Sequence, residues 1–313
     1  MPSNQFGVLT YLGGIALTSR HRNFEALSGL DILQTETRQT LLMVTDEGHW
    51  VVADLATTPG GAPTALANAR IGPLLDNAGA PMLSKRTADA EGLALHNGPN
   101  GLEALVIAER NQPVRAYDLS SGAPSGAARH IYGEDTPLPH GRADGLEAIV
   151  EMTEGPLVGQ TLVFLEDEVR PPSRPNAARI LPDGTVVPFE IRRLDDFSIT
   201  GAAMLPGGDV VIVERFFTWD EGVAMRIRHL PASDILAGAV EGSLLLEADG
   251  GTIIDNMEGI AVSDHANGPI LTIISDNNGN FFQRTVLLRF QIVGDLATAQ
   301  RLTPPAPAAR PTQ

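Results

Sequence analysis

The chain has 313 residues with 38 acidic against 22 basic side chains, a net charge of −16, and no cysteine. That balance argues against binders of phosphate backbones and of anionic lipid surfaces, and the missing thiols exclude disulfides, thiolate metal sites and cysteine nucleophiles. No apolar run reaches transmembrane length, and Met1-Pro2-Ser3-Asn4-Gln5 carries neither the basic region nor the long apolar segment of a signal peptide.

In chain order, the run Gly7 to Leu17 reads as a strand and stands before a phrase that then occurs five times. In each phrase an acid, usually followed by Gly, opens a short apolar run, and a second apolar run ends in another acid. The five are Asp31-Ile32-Leu33 with Leu41 to Asp46, Glu91 to Leu95 with Leu105 to Glu109, and Glu147 to Val150 with Thr161 to Glu166, then Ile199 to Met204 with Val210 to Glu214, and Glu258 to Val262 with Leu271 to Asp276. The markers Gly29, Gly92, Gly145, Gly201 and Gly259 stand 53–63 residues apart. Repetition at such a period means a solenoid, a propeller or an array.

The runs are short, rich in Val, Ile and Leu, and bounded by Gly, Pro, Asn and Asp, which is strand chemistry. The second unit accommodates strands over 92–96, 103–109, 113–119 and 127–132, and the fourth over 199–205, 209–214, 223–230 and 243–247. Residues 231–237, capped by Ser233 or Asp234, make one or two helical turns. A four-stranded antiparallel sheet repeated radially is a propeller blade. The sequence therefore predicts an all-β propeller of five long blades over residues 1–302, followed by a disordered Pro/Ala-rich tail over 303–313. The N-terminal run closes the ring as the outermost strand of the last blade. A sixth, degenerate blade within 56–88 or 166–198 is the alternative.

The start of a blade's innermost strand and the end of its second strand share one rim. That rule gathers Asp31, Glu91, Glu147 and Glu258 beside Asp46, Glu109, Glu166, Glu214 and Asp276 at one channel mouth. So many carboxylates repel unless cations or arginines neutralise them; Arg110 and Arg215 directly follow two of the acids, and Arg284 comes after the last. Hard oxygen ligands without thiols favour Ca²⁺ over Zn²⁺. Acids at strand ends also cap turns or pair with arginine, and that reading stays open for each of them. Asp276-Asn277-Asn278-Gly279-Asn280 is either a calcium-loop fragment or a β-turn. His49 and His140 are general-base candidates or loop histidines, and Ser28, Thr200 and Ser275 are rim hydroxyls. Phe216-Phe217-Thr218-Trp219 either lines a pocket for a ring-bearing substrate or packs between blades.

The phrases Leu27-Ser28-Gly29-Leu30-Asp31, Ala90-Glu91-Gly92-Leu93-Ala94, Val213-Glu214-Arg215-Phe216, Asp255 to Ala261 and Ile274 to Asn278 resemble the "esterase-like activity of phytase" family across roughly residues 8–292. The resemblance implies a propeller, a divalent cation, Ca²⁺ by preference, and hydrolysis of an ester or phosphoester. On that reading the metal is held by Asp31, Glu91, Glu147, Asn256 and Glu258, with Glu109, Glu214 or Asp276 as base and Arg110, Arg215 or Arg284 steadying negative charge. It also implies export to the periplasm or exterior, although the visible N-terminus leaves a cytoplasmic location open. Lys85 is the only lysine, which is poor provision for the six phosphates of phytate. The alternatives are a non-catalytic binding propeller and a lactonase of the gluconolactonase and paraoxonase kind. The expected partner is a small-molecule ester or phosphoester, the chain being monomeric and binding neither nucleic acid nor membrane. No Gly-x-Ser-x-Gly elbow, phosphate-binding Gly-Lys loop or His-Glu-x-x-His helix is present.

Overall fold

A computed structural model describes residues 4–82, 88–108, 114–132, 145–165, 175–220, 222–279 and 283–301. The chain opens with β1 (Gln5–Phe6) and β2 (Leu9–Leu17). Blade one follows as β3 (Leu27–Gln34), β4 (Gln39–Thr45), β5 (His49–Thr57) and β6 (Pro63–Pro73). Blade two is β7 (Ala90–Gly98), β8 (Gly101–Ala108), β9 (Val114–Asp118) and β10 (Ser125–Tyr132). Blade three is β11 (Leu146–Glu151), β12 (Thr161–Leu165), β13 (Ala177–Ile180) and β14 (Val186–Ile191).

Blade four holds β15 (Ser198–Met204), β16 (Val210–Thr218) and β17 (Gly222–Leu230). The chain then makes helix α1 (Ala232–Ala237), lends β18 (Ala239–Val240) to the edge of blade three in parallel, and returns with β19 (Ser243–Asp249). Blade five is β20 (Asn256–Ser263), β21 (Ile270–Asp276) and β22 (Thr285–Ile292), and β23 (Gln300–Arg301) finishes at the edge of blade four. The innermost strands β3, β7, β11, β15 and β20 neighbour one another in sequence, and β20 meets β3 again, so five blades close a ring. The segments 56–88 and 166–198 hold no sixth blade among the described residues: β6 completes blade one and β13 with β14 completes blade three.

The apolar runs of the second strands follow from stacking. Successive side chains of a strand point to opposite faces, and both faces of a blade are covered by a neighbouring blade. Leu41 and Met43 of β4 enter the core shared with blade five, while Leu42 and Val44 enter the core shared with blade two. Leu105 and Ile107 of β8 likewise face blade three, and Ala104 and Val106 face blade one. Unbroken hydrophobicity is therefore the mark of a twice-covered strand.

Closure is made by β2, antiparallel to β22 from Leu9↔Ile292 to Leu17↔Thr285, with β1 outside it. The fully buried Arg289 locks the seam with blade one, donating to Gly61 O at 2.8 Å, Gln39 Oε1 at 3.0 Å and Ser263 Oγ at 3.0 Å. The short helix departs from expectation in its cap. Pro231 occupies the N-cap, Ser233 and Asp234 lie inside the helix, and Asp209 supplies the missing acceptor to Ala232 N at 2.8 Å.

Inner strands approach closely where the bulges described below fall. A Cβ on Gly201 would stand 2.5 Å from Glu258 O in the next blade. Gly201→Ala is expected to push β15 and β20 apart and lower stability by about 1–3 kcal/mol, read as a lower urea midpoint; an unchanged midpoint would contradict this packing.

Candidate functional site at the channel mouth

Every inner strand carries a β-bulge near its start, between Leu27 and Leu30, Ala90 and Gly92, Leu146 and Ala148, Ile199 and Gly201, and Met257 and Gly259. A bulge inserts one residue without a ladder partner and re-aims its side chain. The residues so placed are Ser28, Glu91, Glu147, Thr200 and Glu258, and Glu91, Glu147 and Thr200 line the narrow neck of the channel. The bulge, not the acid–Gly phrase, sets the repeat phase. In blade three the marker is thus Ala148 rather than Gly145, and in blade one the counterpart of Glu91 is Ser28 rather than Asp31.

Asp31 lies further down the channel, beside a cavity of about 200 Å³. Its carboxylate accepts from Leu95 N and from Ile32 N, each at 2.7 Å, which ties blade one to blade two. Burial outweighs those bonds and pushes its pKa up to about 6. The structure therefore separates Asp31 from the other four residues expected to hold a metal.

At the mouth itself Glu91 is strongly perturbed. Burial is the first cause, the charges of Glu258, Asp89 and Asp46 add to it, and a Ser28 hydrogen bond opposes them; the pKa is pushed up to about 8. Glu258 Oε1 accepts from Asn256 Nδ2 at 2.6 Å and lies 3.4 Å from Arg215 Nη1, which also donates to Asn256 Oδ1 at 2.7 Å. Glu147 is buried on its own bulge. Asp276 pairs in register with Asn256, directly beside this group. Glu91, Glu147, Asn256, Glu258, Asp276 and Arg215 are thus brought to one rim, together with Asp46.

Glu214 is not part of that cluster. Strand alternation turns it away from Arg215 and into a fully buried ion pair with Arg228 Nη1 at 2.6 Å. Arg284 stands against Asp255, its backbone N–H donating to Asp255 Oδ2 at 2.9 Å and its Nε 3.9 Å from the same oxygen. Glu109, Arg110, Glu166 and His140 lie outside the described residues. His49 bonds the Asn23 amide at 2.7 Å through Nε2, and burial lowers its pKa. Ser275 Oγ donates to Arg284 O and accepts from Val286 N, and Thr200 Oγ1 donates to Met257 O, so both hydroxyls join strands.

The Asp276–Gly279 segment makes a turn. Asp276 Oδ1 accepts from Asn278 N at 2.7 Å, Asn277 Oδ1 accepts from Ala26 N at 3.2 Å, and Asn278 and Gly279 have positive φ. One side-chain oxygen of Asp276 and that of Asn277 thus accept from backbone amides, and Asn280 lies outside the described residues. Sequence reading missed Asp89, which is buried two residues before Glu91. The short Asp89-Ala90-Glu91 spacing was its only signal.

A family model described as phytase-like, "esterase-like activity of phytase", matches residues 22–279. The chain belongs to this family. Membership supports hydrolase chemistry in general for this phytase-like propeller. Among solved structures it is similar to an α-L-arabinofuranosidase from Podospora anserina, at 11% identity and TM-score 0.55, covering 92% of this chain and 99% of that one. A GH62 α-L-arabinofuranosidase catalytic domain from Coprinopsis cinerea aligns at 12% identity and TM-score 0.53, covering 92% and 98%. At such identity the likeness is one of fold alone. No curated protein matches the chain.

The donors at the mouth are the hard oxygens that Ca²⁺ takes. Among the described residues, however, no three His, Asp or Glu side chains are arranged around one point as a metal site. Also among the described residues, no helix is long and apolar enough to cross a membrane.

Proposed function

We propose that this phytase-like propeller hydrolyses an ester, carboxylic or phosphoric, at the acidic channel mouth. The observation that carries the reading is Glu91, a carboxyl re-aimed by a bulge into the neck and held protonated near neutral pH by burial and three acidic neighbours. A proton retained there is available to a departing alkoxide. Glu258, held by the Asn256 amide and the Arg215 guanidinium, is the base toward water, and Arg215 faces the negative charge that grows on the attacked group.

Ca²⁺ belongs to the proposal as an alternative to the Glu91 proton: bound at the mouth it would relieve the excess negative charge and ionise Glu91, and would take over its electrophilic role. When bound it would polarise the ester oxygen. Elemental analysis of the purified protein, melts with EDTA and with added Ca²⁺, and a panel of phosphoesters, lactones and carboxylic esters test both parts. Bound Ca²⁺, a lower melting temperature on chelation and turnover of at least one ester are the expected results. No metal and an indifferent melt would remove the cation; no turnover across the panel would remove the hydrolase.

A further inference from the structure

The hairpin of β16 and β17 outreaches the inner strand of its own blade. The inner strand β15 begins at Ser198, which pairs with Arg215, yet β16 and β17 continue paired from Phe216↔Ala224 to Thr218↔Gly222. At about 3.4 Å per residue this lifts the hairpin tip roughly 10 Å above Arg215, on the rim that carries the acidic mouth.

Strand alternation sorts the side chains of this extension. Phe216 shares the face of Glu214 and stacks on Phe197 with centroids 5.4 Å apart, and the Arg226 guanidinium lies 3.9 Å from the Phe197 ring centre. Phe217 shares the face of Arg215, whose guanidinium reaches Asn256 and Glu258. Trp219 meets Phe217 edge to face, centroids 5.4 Å apart and planes at 71°. Phe216 is thus packing, but Phe217 is 51% and Trp219 93% exposed. Two rings in mutual contact, exposed on the side of the hairpin that carries Arg215, are not explained by packing among the described residues.

We propose that Phe217 and Trp219 form a wall against which an uncharged aromatic ring of the substrate stacks while its ester group reaches Arg215 and Glu258. The choice of ring follows from the charges around it. Arg215 is engaged by Asn256 and Glu258, and Arg284 by Asp255, so a polyanion meets carboxylates and already-bonded guanidiniums. A neutral aryl group meets no such penalty and gains ring–ring contact. The inference rests on the hydrolase reading for the ester, but the stacking step is measurable without turnover.

The chain contains two tryptophans, Trp50 and Trp219. Trp50 is half-buried on β5, so ligand quenching of an exposed indole reports Trp219. The probe is p-nitroacetanilide, an uncharged amide analogue of p-nitrophenyl acetate. Saturable quenching is expected in the wild type and in Trp50→Phe, and none in Trp219→Ala. With esters, Trp219→Ala and Phe217→Ala should raise KM for p-nitrophenyl acetate roughly 5–10-fold, with kcat little changed and ethyl acetate unaffected. The exposure of Trp219 makes its removal harmless to folding, and a melt verifies this.

Absence of quenching in the wild type, its persistence in Trp219→Ala, or saturation by arabino- or cello-oligosaccharides but not by the anilide would overturn the aromatic wall. Quenching without turnover of any ester would leave the wall standing and overturn the hydrolase. Turnover with an unchanged aryl KM in Trp219→Ala would do the reverse.

Discussion

Arg228→Ala is expected to lower the unfolding free energy by about 3–5 kcal/mol, and the melting temperature by about 10 °C. Arg228 has no exposed surface and donates to Glu214 Oε1 at 2.6 Å, to Arg192 O at 3.1 Å and to Glu241 O. Truncation leaves Glu214, itself 2% exposed, as a charge with no cation in contact, and strips two carbonyls of a donor. Burial already raises the Glu214 pKa against the pull of Arg228, so removing the arginine drives it higher. Replacing both partners by apolar residues, as in Arg228→Met with Glu214→Leu, should recover much of the loss, since the desolvation of both charges disappears with them. Urea unfolding of the single and double variants gives the comparison; a single-variant cost below about 1 kcal/mol would contradict a buried pair of this kind. Turnover per folded molecule should be unchanged in the double variant, because Glu214 faces Arg228 and not the mouth.

Glu91→Gln should reduce ester turnover by about 10²–10⁴-fold and at the same time make the protein more stable in alkali. The unfolded carboxyl ionises near 4.5 and the folded one near 8. Between those values the folded chain holds a proton that the unfolded chain has released, so stability falls as pH rises. The favourable contribution is complete below about pH 4.5 and is lost by about pH 8, at a slope of at most about 1.4 kcal/mol per pH unit. Gln has no proton to lose, so melts from pH 5 to 9 should show a steep decline for the wild type and a shallower one for the variant. Added Ca²⁺ should flatten the wild-type decline if the mouth takes a cation. Parallel curves for the two proteins would show that Glu91 does not carry the pH dependence.

The propeller, its number of blades and the closing strand were legible because stacking leaves a plain trace. Leu41 to Val44 and Val210 to Val213 are apolar on both faces, and the Leu9 to Leu17 run stands before the first repeat while the last repeat is one long strand short. The mouth was legible only in part. Glu91, Glu147 and Glu258 share a bulge position, but Ser28 and Thr200 fill the other two, and a search for acids passes over them. Asp31 mimicked the repeat because an acid followed a Gly two residues earlier, whereas the ladder register places it lower in the channel. The sequence places Glu214 and Arg215 on the same rim; a two-residue strand period sends them to opposite faces, one to a buried ion pair and the other to the mouth. Such separations depend on register, and a shift of one residue reverses them.

The pairing of Thr10 with Gln291 also has a kinetic meaning. A contact between such distant positions carries a large loop-closure entropy, and folds dominated by non-local strand pairing form slowly. During synthesis β2 emerges early and must remain without its proper neighbour until β22 has been made. Throughout that interval it is an apolar strand open to β22 of another molecule, which would produce an exchanged dimer by the same hydrogen bonds that complete the monomer. The latch of this ring is therefore also the place where two rings can become entangled.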